Sequence, residues 1–206
     1  MREAQLSLTG DITSISIGGD LIESAIRSDS SIGSIKVGGD FAGTAQEHAT
    51  ISALGGLAPH SDAKAMAIGS IAIGGSADHA QILAGYDRAG VGVNANVRVG
   101  KVSVAGNWSA SSLVAGVDPG EDTFFGTADD KMFPGGNSVI ASIASIVIKG
   151  AATGSDDSSE HFAFVSEEIG KVRVGETQYP LQDGASNDLS AAAIGSSNNF
   201  VLQEIG

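Results

Sequence analysis

Six carboxylates carry the most specific chemistry in this sequence. Asp118, Glu121, Asp122, Asp129 and Asp130 crowd into one segment, GVDPGEDTFFGTADD (Gly116 to Asp130), together with Gly120 and Gly126. Hard cations such as Ca²⁺ take several oxygen ligands from a chain that can bend closely around them, and this composition suits that demand. The spacing does not follow the EF-hand pattern of alternating acidic positions, a central Gly and a closing Glu, so the expected Ca²⁺ loop is of another type. The sixth carboxylate is Asp87. It ends an Ala-Gly-x-Asp string, as does Asp118, and the 31 residues between them equal the spacing of Val102 from Ile71. That offset places the pair on adjacent strands about 5 Å apart. Carboxylates so close repel one another unless a cation relieves them. The alternative is a metal-free acidic loop that keeps the surface soluble.

Other catalytic constellations are missing from the sequence. His48, His60, His79 and His161 lie in different segments with no metal-ligand spacing, and read as surface or turn residues. No Gly-x-Ser-x-Gly elbow offers a nucleophile. GVGVNAN (Gly90 to Asn96) lacks the third Gly and the helix of a phosphate-binding loop. There is no Cys, which removes disulfides, thiolate nucleophiles and Cys-ligated metals. Asn107-Trp108-Ser109 matches a glycosylation acceptor, but its Asn is already explained by a corner. Trp108, the single Trp, is expected to pack at the edge of the fold, with sugar stacking as the alternative.

The elements that must position these residues come from a repeat. SISIGGDL, SIKVGGDF, SIAIGGSA, KVSVAGNW, SIVIKGAA and KVRVGETQ begin at Ser14, Ser34, Ser70, Lys101, Ser145 and Lys171. Each carries the pattern aliphatic-x-x-aliphatic-x-aliphatic, anchored on Ile15, Ile35, Ile71, Val102, Ile146 and Val172. The last two aliphatics alternate as a half-buried strand does, and Gly-Gly-Asp or Ala-Gly-Asn reads as a corner. Gly is expected there for its backbone freedom, and Asp, Asn or Ser for bonding to nearby N–H groups. The shortest spacing, 20 residues, approximates one bare turn, and longer ones carry insertions at recurring places. The 36-residue spacing leaves room for a hidden turn around Thr50 to Leu57. QILAGYD, SLVAGVD and HFAFVSEE supply a second apolar strand. Residues 1–206 therefore read as one all-β domain, a single-stranded parallel β-helix of about six to seven turns of roughly 20 residues plus loop insertions. A leucine-rich-like solenoid and a β-sandwich are the competing folds.

The repeated SIxVGGD-like strings and the acidic stretch GVDPGEDTFFGTADD (Gly116 to Asp130) resemble Gly- and Asp-rich β-solenoid segments of large secreted bacterial adhesin-like surface proteins. That resemblance implies an extracellular or cell-surface setting and neighbouring domains of a larger protein as partners. It implies architecture rather than an activity, and Asp122-Thr123 stands where such loops usually have Asp-Gly. The first repeat starts almost at once, so the chain reads as a segment of something longer. Net charge is −13, which argues against nucleic acid or anionic membranes and leaves cations, neutral glycans or proteins as partners. No segment is apolar over a membrane-spanning length.

Registering the repeats lists the outward face. Ser14, Ser34, Ser70, Lys101, Ser145 and Lys171 form one row, and Ser16, Lys36, Ala72, Ser103, Val147 and Arg173 the other. No member is a carboxylate, whereas glycoside hydrolysis needs two. The expectation is a non-catalytic structural or adhesion module, stabilised by Ca²⁺, with an extracellular glycan or protein as a further partner. A polysaccharide lyase or glycoside hydrolase with its site in the insertions is the alternative. An ice- or crystal-binding face is a third, weakened by rows without Thr that Lys, Arg and Val interrupt.

Overall fold

The computed structural model describes residues 1–57, 65–135, 139–195 and 197–206. His60 and parts of the insertions at 42–66 and 118–139 lie outside them. The described residues are all-β, without a helix.

Alternation of aliphatic and small polar residues makes Ile12–Ile17, Ile32–Val37, Met66–Ile73, Arg98–Val104, Ser142–Ile148 and Glu168–Val174 strands, and these pair in parallel, in chain order, as one sheet. A short second sheet follows the Gly corner: Leu21–Ile22, Phe41–Ala42, Ala77–Asp78, Trp108–Ser109 and Ala152–Thr153. The third sheet stacks Gln5–Leu8, Ala25–Ser28, Ala49–Ala53, Ala80–Ala84, Ser112–Ala115, Phe162–Ser166 and Phe200–Glu204. From Gln5 onward the chain visits third, first and second sheet in that cyclic order, and each circuit pairs with the one before it.

The register agrees with the repeat at every anchor. Ile15 pairs with Ile35, Ile35 with Ile71, Ile71 with Val102, Val102 with Ile146 and Ile146 with Val172. The three aliphatics of each circuit point inward. Among these positions only Ile15 and Val174, in the first and last circuits, are partly exposed. The outward rows align as expected, with Ser14, Ser34, Ser70, Lys101, Ser145 and Lys171 stacked in one column. The 36-residue interval holds no extra circuit, because Ala49–Ala53 is the ordinary third-sheet strand of that circuit. Its added length lies on either side of that strand.

The corner works across circuits rather than locally. Asp20 Oδ1 accepts a hydrogen bond from Asp40 N (2.9 Å), Asp40 Oδ1 from Ser76 N (2.7 Å), Ser76 Oγ from Asn107 N (3.0 Å) and Asn107 Oδ1 from Ala151 N (3.0 Å). Each polar side chain thus caps the equivalent backbone N–H one circuit later. The preceding Gly is required for a reason other than its φ, since Gly39, Gly75, Gly106 and Gly150 all avoid positive φ. A Cβ at any of them would collide with the capping oxygen of the circuit before: Asp20, Asp40, Ser76 or Asn107. Left-handed backbone occurs instead at the next corner, where Glu3, Glu23, His79 and Ala110 hold φ of 49°, 46°, 45° and 44°.

The two ends differ. Downstream, Thr177–Gln178 folds back antiparallel on Glu168–Val174, and Ala192–Ala193 on Phe200–Glu204. Tyr179, Leu181 and fully buried Ile194 cover the core there. Buried Glu204 fastens this cap by accepting from Ile169, Asn187 and Asp188 N–H groups (2.8, 3.0 and 3.1 Å). At the other end Leu6 and Leu8 are exposed on Gln5–Leu8.

The corner ladder predicts that Asp40→Ala lowers stability by about 1 kcal/mol through the uncapped Ser76 N–H. Asp40→Asn should lose less, and Gly75→Ala at least as much as Asp40→Ala. Chemical-denaturation midpoints measure all three, and an unshifted Gly75→Ala curve would show that the capping oxygen is not where the ladder puts it.

Candidate functional site

The acidic segment is a roof rather than a free loop. Val117–Asp118 pairs antiparallel with Lys131–Met132 and closes it at the base. Phe125 and Phe133, both nearly fully buried, pack with Val117 against Leu83, Val114, Ala163 and Val165 on the outer face of the third sheet. Tyr86 joins from the neighbouring circuit, edge-on to Phe133 at 5.3 Å, and its hydroxyl donates to Val117 O (2.5 Å). Burial, followed by the charges of Asp118 and Asp130, raises the Tyr86 phenol above its ordinary range. Beneath the roof, Ser112–Ala115 and Phe162–Ser166 of the third sheet are therefore buried on both faces.

The candidate Ca²⁺ ligands are occupied largely with backbone. Asp129 accepts from Glu121 N (2.7 Å) and from Thr127 Oγ1 (2.7 Å), and these bonds hold its carboxyl below the usual range. Asp122 Oδ1 caps Phe124 N (2.8 Å), and Asp118 Oδ1 caps Gly120 N (3.1 Å) while Oδ2 lies 3.9 Å from Lys131 Nζ. Asp87 turns into its own loop, where Oδ1 accepts from Ala89 and Val91 N–H groups (2.9 and 2.8 Å). The strands leading to Asp87 and Asp118 do run in the expected register, Ala84 beside Ala115. Beyond them the two carboxylates cap separate turns. Glu121 is exposed. Among the described residues no three His, Asp or Glu side chains stand where they could share a metal ion.

Asp130 is the exception to this satisfied set. Its Oδ2 accepts from Gly126 N (2.7 Å), but the buried Oδ1 has no hydrogen-bond partner. Burial first, and the Asp122 and Asp129 charges after the opposing Gly126 bond, push its carboxyl up to about 7.

A second feature was not legible as a site. A cleft of about 350 Å³ opens on the flank where the second and third sheets meet. Four circuits and the acidic roof contribute to it: Gln46 and His48, Gln81, Ser112, Glu160 and His161, with Thr123 and Phe124 from the roof. Phe124 stands edge-on to His161 at 6.1 Å, and Asp122 fixes the Phe124 backbone. His48 stacks on His79 at 6.4 Å, and burial lowers its pKa, leaving it neutral at pH 7. The left-handed corner at His79 aims that ring at Asp78, with Nδ1 and Oδ1 2.9 Å apart. Three of the four histidines, scattered in sequence, thus gather on one flank. Among the described residues no imidazole is hydrogen-bonded to a Ser hydroxyl, and Glu160 is the one carboxylate lining the cleft.

Trp108 does not reach this flank. It is fully buried in the main core, edge-on to Phe164 at 5.3 Å, which withdraws it from sugar stacking. Asn107 is committed to the corner ladder. Compared with family models, curated proteins and solved structures, the chain finds no match.

Asp130 yields a pH prediction. Its folded pKa lies above its ordinary 3.8, so the stability it contributes is full below that value and is lost as pH rises through about 7. Melting curves of the protein and of Asp130→Asn should run parallel at acid pH, and the unmodified protein should fall relative to the variant between pH 4 and 8. A constant difference across that range would place Asp130 in water.

Proposed function

We propose that the three sheets are the faces of one single-stranded parallel β-helix, and that the molecule is a non-catalytic extracellular structural or adhesion module whose stiff coil carries loops at the corners on either side of the third sheet. The observation that carries this reading is that the three aliphatic positions stay in register through six first-sheet strands, each aliphatic over the last, despite circuits that differ widely in length. Such stacking makes each repeat depend on its neighbours and gives a rod that tolerates insertions. The outward rows of the first sheet offer Ser, Lys and Arg without a carboxylate, and among the described residues the flank cleft offers a single one, where hydrolysis of a glycoside takes two.

Secretion, a bacterial cell-surface setting and attachment to neighbouring domains belong to the same proposal and rest on the resemblance of the repeats. Calcium enters as a stabiliser of the acidic roof, with Asp130 Oδ1 as the atom a cation would serve. A Ca²⁺-dependent rise in melting temperature, absent in Asp130→Asn, supports that part of the proposal, and identical curves in Ca²⁺ and chelator remove it.

The competing reading is a polysaccharide lyase or glycoside hydrolase using the loops. Incubation with neutral and acidic polysaccharides should release neither reducing ends nor unsaturated products. Release that disappears in Glu160→Gln would replace the scaffold reading with an enzyme.

A further inference from the structure

The flank cleft continues into a second hollow of about 480 Å³, and His161 lines both. The hollow is walled by hydroxyl and amide side chains, among them Ser155, Ser197 and Asn199. Asn199 is only 6% exposed; its amide N–H groups donate to Ser155 O (3.2 Å) and Asp157 O (2.9 Å), while its Oδ1 has no partner. A buried acceptor left without a donor is costly in a folded protein. That oxygen is closed off from the hollow and lies against Gly154, so Asn199 belongs to the wall that shapes the hollow.

The chemistry of the lining narrows the occupant. Among the described residues neither hollow is lined by Lys or Arg, and Glu160 and Asp156 stand in their walls, so an anionic ligand meets repulsion without a counter-charge. The polar groups are amides, hydroxyls and imidazoles that both donate and accept, which suits a ligand with many hydroxyls. Phe124 adds one apolar ring face at the rim. A peptide adding as a strand would need a free sheet edge, and Ala80–Ala84 in the cleft wall is already paired on both sides.

We propose that this flank groove binds a neutral, hydroxyl-rich glycan, with Phe124 against a sugar ring and Gln46 and Gln81 as hydrogen-bond partners. Asp122 acts at one remove, as the cap that holds Phe124 in place. The proposal rests on the coil being a rigid support that keeps four circuits in register.

Isothermal titration with maltohexaose, cellohexaose, xylohexaose and mannohexaose tests it, with polygalacturonate and an extended neutral peptide as the other arms. At least one neutral oligosaccharide should bind, and Phe124→Ala and Gln81→Ala should each weaken it by about tenfold, near 1.4 kcal/mol, with melting curves unchanged. Lys101→Ala, on the first-sheet face, should leave affinity as it was. Absence of binding to every neutral oligosaccharide, preference for the acidic polymer or the peptide, or full affinity in both cleft variants would overturn the proposal. Failure of the coil itself would show separately, as loss of cooperative unfolding in the unmodified protein.

Discussion

Parallel pairing sets the aliphatic and corner positions of one circuit over their counterparts in the next, about 4.8 Å away, and the one irregularity in the first sheet, at Arg98/Val99, leaves these positions aligned. All else in this structure works within that constraint. Inside, it brings aliphatic onto aliphatic, so the Ile and Val columns form a continuous core from Ile12 to Val172. At the corner it brings the side chain of Asp20, Asp40, Ser76 or Asn107 to the backbone N–H of the following circuit. The same closeness forbids a Cβ at the preceding position. Gly-Gly-Asp is thus a single device, in which the second Gly clears space for the carboxylate of the circuit before.

The acidity of the chain follows from this use of carboxylates. A carboxylate accepts several hydrogen bonds and donates none, which suits it to capping backbone N–H groups that corners and insertions leave over. Asp11, Asp87, Asp122, Asp129 and Glu204 all do this. The bonds from Ser30 and Ser31 bring Asp11 down to about 2. A negative balance of 13 charges therefore need not be read as appetite for cations. Asp130 stands apart because the apolar roof encloses it with one oxygen unpaired.

Sequence reasoning reached the strands, the register and the outward rows, because alternation of Ile and Val with Ser and Lys encodes them directly. It named the corner residues but assigned them local roles, since the capping acts between residues 20 to 44 positions apart and exists only once circuits stack. The covered outer face of the third sheet had a signal: ILA, LVA and FAFV are apolar at both parities, the mark of a strand buried on two sides. Phe125 and Phe133 within an acidic string were the other half of it. The flank cleft had no such trace, because insertions of unequal length carry its residues from four circuits.

Backbone hydrogen exchange on Asp40, Ser76, Asn107 and Ala151 tests the stacked-corner account most directly. Their N–H groups sit at corners that would exchange freely if each corner were a local turn. The account predicts protection comparable to the neighbouring strand amides, falling at Ser76 alone in Asp40→Ala. Exchange at the rate of exposed loop amides such as those of residues 156–158 would contradict it.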